Sequence, residues 1–264
     1  MIQNLTGNRG LWETLLMTTS YIPEIYKDFT KAVEWLGRRH SISTVFNDLL
    51  TMGICSFHET NIMSRLTQKD EANEALYMET IKRYDREELN QFAKMIGMVK
   101  LNAYEAPYSD MLGQYFTEHI TRGHNGQYFT PDAICQLMAQ MQGEKESITG
   151  KRVADPSCGS SRLLLEFARN NPDNTFYGAD NANTCAKMSA INFFINGLKG
   201  EVAWMNTLSM EWYGGWHINR YPRIGIVPVE KEQSAMWWEP KKTPEPPEDI
   251  KSYARPDGQQ LMLF

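Results

Sequence analysis

The segment Asp155-Pro156-Ser157-Cys158-Gly159-Ser160-Ser161 carries the residue types best suited to holding a ligand. It follows a short apolar run, Arg152-Val153-Ala154, and opens a helical stretch from Arg162 to Ala168. A carboxylate at a strand end, followed by small residues, makes a tight turn that a ligand can approach closely. The segment has one glycine and does not spell G-x-G-x-x-G, which disfavours a dinucleotide seated by its pyrophosphate. An acid in that place suits a ligand carrying a positive amino group. A second acid, Asp180, ends the next strand, 25 residues after Asp155. A carboxylate there can accept both hydroxyl hydrogens of a ribose. The pair points to an adenosine ligand with an amino-acid arm, although Asp180 alone serves equally well as a helix cap.

A third signal lies upstream, Gly126-Gln127-Tyr128-Phe129-Thr130-Pro131. Thr130 is expected to cap a helix with Pro131 at its first position, leaving unpaired backbone N–H groups to face an anion. The similar string Gly113-Gln114-Tyr115-Phe116-Thr117-Glu118 comes 13 residues earlier, too close for a structural repeat, and is read as coincidence within a helix. The histidines (His40, His58, His119, His124, His217) show no metal spacing, and each is assigned a satisfied or surface role. No metal site is expected.

These signals need a scaffold, and the chain changes character along its length. Residues 1–110 read as a helical N-terminal domain. Ile25, Phe29, Ala32, Val33 and Leu36 recur at helical spacing, as do Tyr77, Ile81 and Tyr84, and Leu89, Phe92, Ile96 and Val99. Lys82, Arg83, Asp85, Arg86, Glu87 and Glu88 are read as a solvated face, and Arg38-Arg39-His40 as a solvated helix end. Residues 111–228 alternate short strands with helices: Arg152–Ala154, Thr175–Ala179 and Glu201–Trp204 as strands, Arg162–Ala168 and Cys185–Asn196 as helices. That βαβαβ succession implies a parallel sheet. Arg223-Ile224-Gly225-Ile226-Val227 reads as the fourth strand. Residues 229–264 form a Pro-rich C-terminal tail, with Pro240, Pro244, Pro246, Pro247 and Pro256 in its last 25 residues.

Composition narrows the class. The chain has 264 residues, 42% of them hydrophobic, enough for a real core in one large or two modest domains. Its net charge of −5 gives no global electrostatic case for nucleic acid, so DNA contact needs a local basic surface. Cys55, Cys135, Cys158 and Cys185 are far apart, against zinc ribbons and a disulfide framework and in favour of a cytoplasmic protein. No run of about 18 apolar residues occurs, so no membrane association is expected.

The motifs resemble the S-adenosylmethionine-dependent N6-adenine DNA methyltransferases, above all the modification subunit of type I restriction systems. The resemblance covers about residues 108–209: Asp110-Met111-Leu112-Gly113, GQYFTP, DPSCGSS, Tyr177-Gly178-Ala179-Asp180, a helix with Ala186, Ala190, Asn192, Asn196 and Gly197, and Asn206-Thr207-Leu208. It implies S-adenosyl-L-methionine as cofactor and an incomplete, doubly wound, Rossmann-like α/β sheet preceded by the helical domain. By position, Tyr128, Phe129 and Thr130 would contact the methionine part. Asp155, Ser157, Cys158 and Gly159 would line the amino-acid arm, Asp180 would hold the ribose, and Asn206 would lie near the adenine ring. Ser161 stands where the family has glycine, which crowds the turn.

The family's catalytic tetrapeptide, Asn or Asp followed by Pro-Pro and Tyr or Phe, is absent from the sequence, and Pro228-Val229-Glu230-Lys231 follows the expected fourth strand instead. In such enzymes that element binds a flipped adenine. Catalytic residues are therefore unassigned, and the length left after helices and tail is read as the cofactor-binding half of a methyltransferase. Two functions remain: an N6-adenine DNA methyltransferase, or a catalytically deficient cofactor- and DNA-binding protein acting through a restriction-modification partner. A third, weaker reading is methylation of another substrate. Little turnover is expected of the isolated chain. An exposed sheet edge should be covered by the segment from Trp212 onward, by a partner subunit, or by a second copy. Trp204, Trp212, Trp216, Trp237 and Trp238 are read as capping the shortened sheet or forming a partner surface rather than as base-stacking platforms.

Overall fold

A computed structural model describes residues 23–58, 60–61, 70–121, 129–142, 148–220 and 223–239. Gly126, Gln127, Tyr128, His124 and the prolines beyond residue 239 lie outside the described residues.

Four helices come first: α1 (Glu24–Leu36), α2 (Ile42–Ser56), α3 (Glu71–Ile81) and α4 (Arg86–Glu105). The recurring apolar positions do turn inward, with Phe29, Ala32, Val33 and Leu36 buried on α1 and Phe92 and Val99 on α4. Helix α2 is buried around most of its circumference, as its run Val45, Phe46, Leu49, Leu50, Met52 and Ile54 requires. Ser41 caps it by accepting from Thr44 N at 3.1 Å.

One reading of the charges needs correction. Glu88 is not solvated: it is buried and closes a capping box with Asp85 at the start of α4. Its Oε1 also lies 3.0 Å from His40 Nε2 and 3.1 Å from Arg39 Nη1. Arg38 and Arg39 do form a solvated helix end, and from it Arg39 and His40 also reach the start of α4 through Asp85 and Glu88. The stretch around residue 85 looks uniformly polar in sequence, yet capping turns one of its acids inward.

A short helix α5 (Met111–Tyr115) runs into a π-helical turn, Phe116–Thr121, and α6 covers Asp132–Gln142. Next come β2 (Arg152–Asp155), α7 (Arg162–Asn170), β3 (Thr175–Asp180), α8 (Asn183–Ile195) and β4 (Gly200–Asn206). Two-residue β1 (Thr60–Asn61) pairs antiparallel with β6 (Arg223–Ile224). The main sheet has the order β2-β3-β4-β5-β7, with β5 at Glu211–Ile218 and β7 at Ile226–Pro228. Strands β2, β3 and β4 are parallel, as the βαβαβ pattern implies. Strands β5 and β7 are antiparallel additions.

The expected fourth strand is therefore wrong in two respects. Arg223–Val227 is broken at Gly225 (φ 134°) into β6 and the edge strand β7. The strand beside β4 is β5, whose Gly214-Gly215 interior and dispersed polar residues conceal a strand pattern. The segment starting near Trp212 does cover the β4 edge. The opposite edge, β2, has no strand neighbour among the described residues.

One core runs from the helices to the sheet. Phe176, Val202 and Ile218 point from the strands toward Leu165 and Met188 of α7 and α8, and α2 lies beyond. Gly53 of α2 lets Ile191 approach within 3.1 Å of where a Cβ would sit. On the other face Ala179, Ala203, Met205 and Met210 form a small second core with Trp212, Met236 and Trp237. Trp237 also donates to Met210 O at 2.8 Å, so these tryptophans brace the added strands.

Candidate functional site

Ligands of open α/β sheets bind beyond the carboxyl ends of the parallel strands. At that end the turn after β2 is folded by its own hydrogen bonds. Asp155 Oδ1 accepts from Ser157 N at 3.0 Å, and Cys158 N donates to Ala179 O of β3 at 2.8 Å. Gly159 N donates to Asp180 Oδ2 at 2.9 Å. Gly159 has φ 55°, and a Cβ there would lie 3.0 Å from the Phe129 ring. Ser161, at the start of α7, adopts φ 70°, the left-handed conformation that favours glycine. Its hydroxyl bonds Ser189 of α8, which holds the strained residue in place.

Helix α6 forms the second wall. Pro131 O, not Thr130 O, accepts the first helical bond, from Cys135 N at 3.0 Å, so the helix starts one residue later than expected. Phe129 stacks on Phe116 of the π-helical turn at 5.7 Å. The two similar strings are thus in contact, through the phenylalanine of each.

Between α6 and the turn lies a cavity of about 320 Å³, within the roughly 300–1,000 Å³ of small-ligand sites. Phe129, Thr130, Asp155, Ser157, Cys158 and Gly159 all line it. Among the described residues, Asp180 and Asn206 do not. Tyr128 lies outside the described residues. Asp180 stands behind the turn, joined to it through Gly159 N. Asn206 uses its Oδ1 to accept from Leu208 N and Ser209 N, at 3.0 and 3.2 Å. Its loop still touches the turn, because Thr207 Oγ1 donates to Pro156 O at 3.1 Å. The Cys158 thiol points inward to Ser189 Oγ at 3.7 Å, and burial pushes it up to about 12, as for a packing cysteine rather than an activated one.

The carboxylates give the site its electrostatic character. Burial raises the Asp155 carboxyl above its ordinary value, against a lowering bond from Ser157 N. Burial likewise raises Asp180, outweighing backbone bonds from Ala182 and Gly159, with the nearby Asp155 charge adding to the rise. Asp180 Oδ1 accepts from Ala182 N at 2.8 Å, so it does brace the entry to α8. That role leaves lone pairs free, since an ionised carboxylate offers about four acceptor sites. A ligand with an ammonium group and vicinal hydroxyls fits two under-compensated carboxylates in this way. Among the described residues no group of three or more His, Cys, Asp or Glu is arranged to hold a metal.

Sequence reasoning gave no role to the polar hub behind the turn. Asp110 precedes α5 and accepts from Gly113 N, Asn192 Nδ2 and Arg162 Nε at 2.9, 2.8 and 3.1 Å, and from the Ser160 hydroxyl. Its only sequence signal was its place in the Asp110–Gly113 string.

The parallel strands, their flanking helices and the turn at their carboxyl ends define a domain of the Rossmann-like α/β class. The family model for N-6 DNA methylases matches residues 103–243. That is more than half of the chain, and the chain belongs to this family, whose methyl transfer depends on S-adenosylmethionine. Proteins of curated function yield no match. Among solved structures, the chain is similar to the methyltransferase subunit of a type I restriction-modification system from Streptococcus thermophilus, at 14% identity and a TM-score of 0.36, covering 66% of this chain and 56% of that one. It is also similar to a protein described as a class I S-adenosylmethionine-dependent methyltransferase from Listeria monocytogenes, at 14% identity and a TM-score of 0.33, covering 67% and 51%. The chain spans about half the length of these structures. Among the described residues no helix is long and apolar enough to cross a membrane.

Proposed function

We propose that this chain binds S-adenosylmethionine in the cavity between α6 and the 155–161 turn, and that it is the cofactor-binding part of an N6-adenine DNA methyltransferase. The observation that carries the reading is the pair of half-buried carboxylates at the ends of β2 and β3, which accept from backbone N–H groups beside the cavity and, among the described residues, meet no cation there. Burial of an acid without a cationic partner is costly, and a ligand ammonium offsets that cost. Asp155 and the Ser157–Gly159 backbone would take the amino-acid arm, Tyr128, Phe129 and Thr130 the methionine part, and Asp180 the ribose hydroxyls. Asn206 would border the adenine from its turn at the rim. The bound group supplies an electrophilic methyl; the residues of this chain bind, orient and shield it.

Acceptor binding is the part that this sequence does not spell, since it contains no Asn/Asp-Pro-Pro-Tyr/Phe. The acceptor pocket would come from a restriction-modification partner subunit set against the open side of β2, with DNA as the substrate. No disulfide joins the four cysteines, all of them buried, which supports placing this activity in the cytoplasm. The missing tetrapeptide also favours a second reading, a binding protein that holds cofactor and DNA without transferring a methyl group.

Calorimetry of the chain with S-adenosylmethionine tests the first step. Binding heat that Asp180→Ala abolishes is expected; no heat in either protein ends the cofactor reading. Transfer of labelled methyl to adenine-containing duplex DNA separates the two functions. Robust incorporation by the chain alone would sink the non-catalytic reading.

A further inference from the structure

Asp110 is 50 residues from Ser160 in sequence, yet its carboxylate sits behind the cofactor turn with a side chain 2% exposed. Both of its oxygens are fully used. Oδ1 holds the start of α5 through Gly113 N and reaches α8 through Asn192 Nδ2. Oδ2 takes the Ser160 hydroxyl and Arg162 Nε. From this hub two arms reach the walls of the cavity. Asn192 Nδ2 also donates to Ser160 O at 2.9 Å, which fixes the 155–161 turn. Arg162 Nη1 donates to Thr130 O at 3.3 Å, which fixes the segment entering α6. Position 113 is reserved for glycine, because a Cβ there would lie 2.1 Å from Asp110 Oδ2.

A buried ion pair is weak grounds for stability, since apolar residues of similar volume often do as well. Its better-attested use is to fix one arrangement among several. Here the arrangement is the separation of two segments distant in sequence, Phe129–Thr130 and Asp155–Ser161, that face each other across the cavity. We propose that Asp110 is a positioning residue of the cofactor site: acting through Ser160 and Arg162, it sets the width of the cleft that takes the amino-acid arm. The proposal rests on the cofactor reading above for its ligand, but its mechanical half does not.

The test uses the full chain and two variants. Asp110→Asn keeps the volume but removes the charge and places an amide against Arg162. Arg162→Lys keeps a cation beside Asp110 but loses the fork that reaches Thr130. In the ligand-free chain, amide hydrogen exchange should quicken at residues 129–130 and 157–161 in Asp110→Asn, and at 129–130 alone in Arg162→Lys. Strands β3 and β4 should be unaffected in both.

With ligand, Asp110→Asn should weaken S-adenosylmethionine about tenfold, the scale of one charge-assisted hydrogen bond. Affinity for 5′-methylthioadenosine, which lacks the amino-acid arm, should not change. A purely structural role would move both ligands together or neither, and either result overturns the proposal. Unchanged exchange at both segments overturns it as well. If the unmodified chain binds neither ligand, the cofactor reading falls, and the exchange measurement still decides whether Asp110 couples the two walls. Should Asp110→Asn fail to fold, Arg162→Lys decides the exchange question by its effect at 129–130.

Discussion

The two ends of the sheet each draw acid away from water, fully at one end and by half at the other, and they treat it in opposite ways. Glu201, on β4 away from the cavity, is fully buried. It accepts from the Ser234 hydroxyl and from Ala235 N at 2.9 Å, and His217 Nε2 lies 3.4 Å from it. Burial alone would raise it, but those partners outweigh burial and hold the Glu201 carboxyl below its ordinary value. Asp155 and Asp180, at the other end, have backbone donors alone and stay above theirs. The difference lies in what the chain supplies. Around Glu201 the protein completes the hydrogen bonding, and the acid acts as a clasp that ties residues 234–235 to the sheet. Beside the cavity it supplies backbone donors alone, and for that reason these two carboxylates are the ones proposed to meet a ligand.

Removing the clasp should have the largest effect. Glu201→Ala leaves the Ser234 hydroxyl and Ala235 N without their shared acceptor and takes the carboxylate away from His217. Stability should fall by about 3 kcal/mol, the lower range for breaking a buried pair. Denaturant unfolding measures it, and cofactor affinity at the far end of the sheet should be unchanged. A comparable loss of affinity would break the contrast between the two ends.

Asp155→Asn should show the reverse profile. S-adenosylmethionine affinity should drop about 10- to 100-fold, the range for a hydrogen bond to a charged group. Unfolding stability near neutral pH should hold or rise, because a desolvated charge has been removed. A destabilised variant with normal affinity would make Asp155 another clasp.

Gly159→Ala is a smaller perturbation of the same turn. The left-handed φ costs a non-glycine residue about 1–2 kcal/mol, and the new methyl meets the Phe129 ring. Both stability and affinity should decline modestly, and an unfolding scan with a parallel titration reads both. An unchanged titration would show that Phe129 can withdraw without disturbing the site.

Legibility in the sequence differed between the same two regions. The parallel half was readable because each element carries its own signal: Arg152–Asp155 and Thr175–Asp180 are short apolar runs ending in acids, and the intervening turn is built of small residues. The antiparallel half was not. Strand β5 contains Gly214-Gly215 and takes its place through pairing with β4, a long-range interaction that no local pattern announces. The expected fourth strand failed at Gly225, where positive φ breaks the run. Within the site, six expected residues meet at the cavity, but the hub that aligns them was invisible as a mechanism. Asp110, Ser160, Arg162 and Asn192 are joined by tertiary contacts alone, and nothing in their spacing shows that one carboxylate serves three elements.

The two ends should finally separate along the pH axis, with the smallest effect. Asp155 and Asp180 hold protons more tightly in the folded chain than unfolded. Stability from this end therefore falls as pH rises from the ordinary aspartate value through the raised ones. Over the same interval affinity for a cationic ligand should rise, because binding takes the ionised carboxylates. Binding there must release protons, so the observed heat should vary with the ionisation enthalpy of the buffer. Glu201 has the opposite sign: its lowered value contributes stability above the ordinary glutamate range, and that is lost as pH falls through the folded value. Asp155→Asn should reduce the proton release while leaving the acid limb of unfolding in place, and Glu201→Ala should do the reverse. Proton release insensitive to Asp155→Asn would place the titrating group elsewhere and remove the electrostatic argument for the cavity.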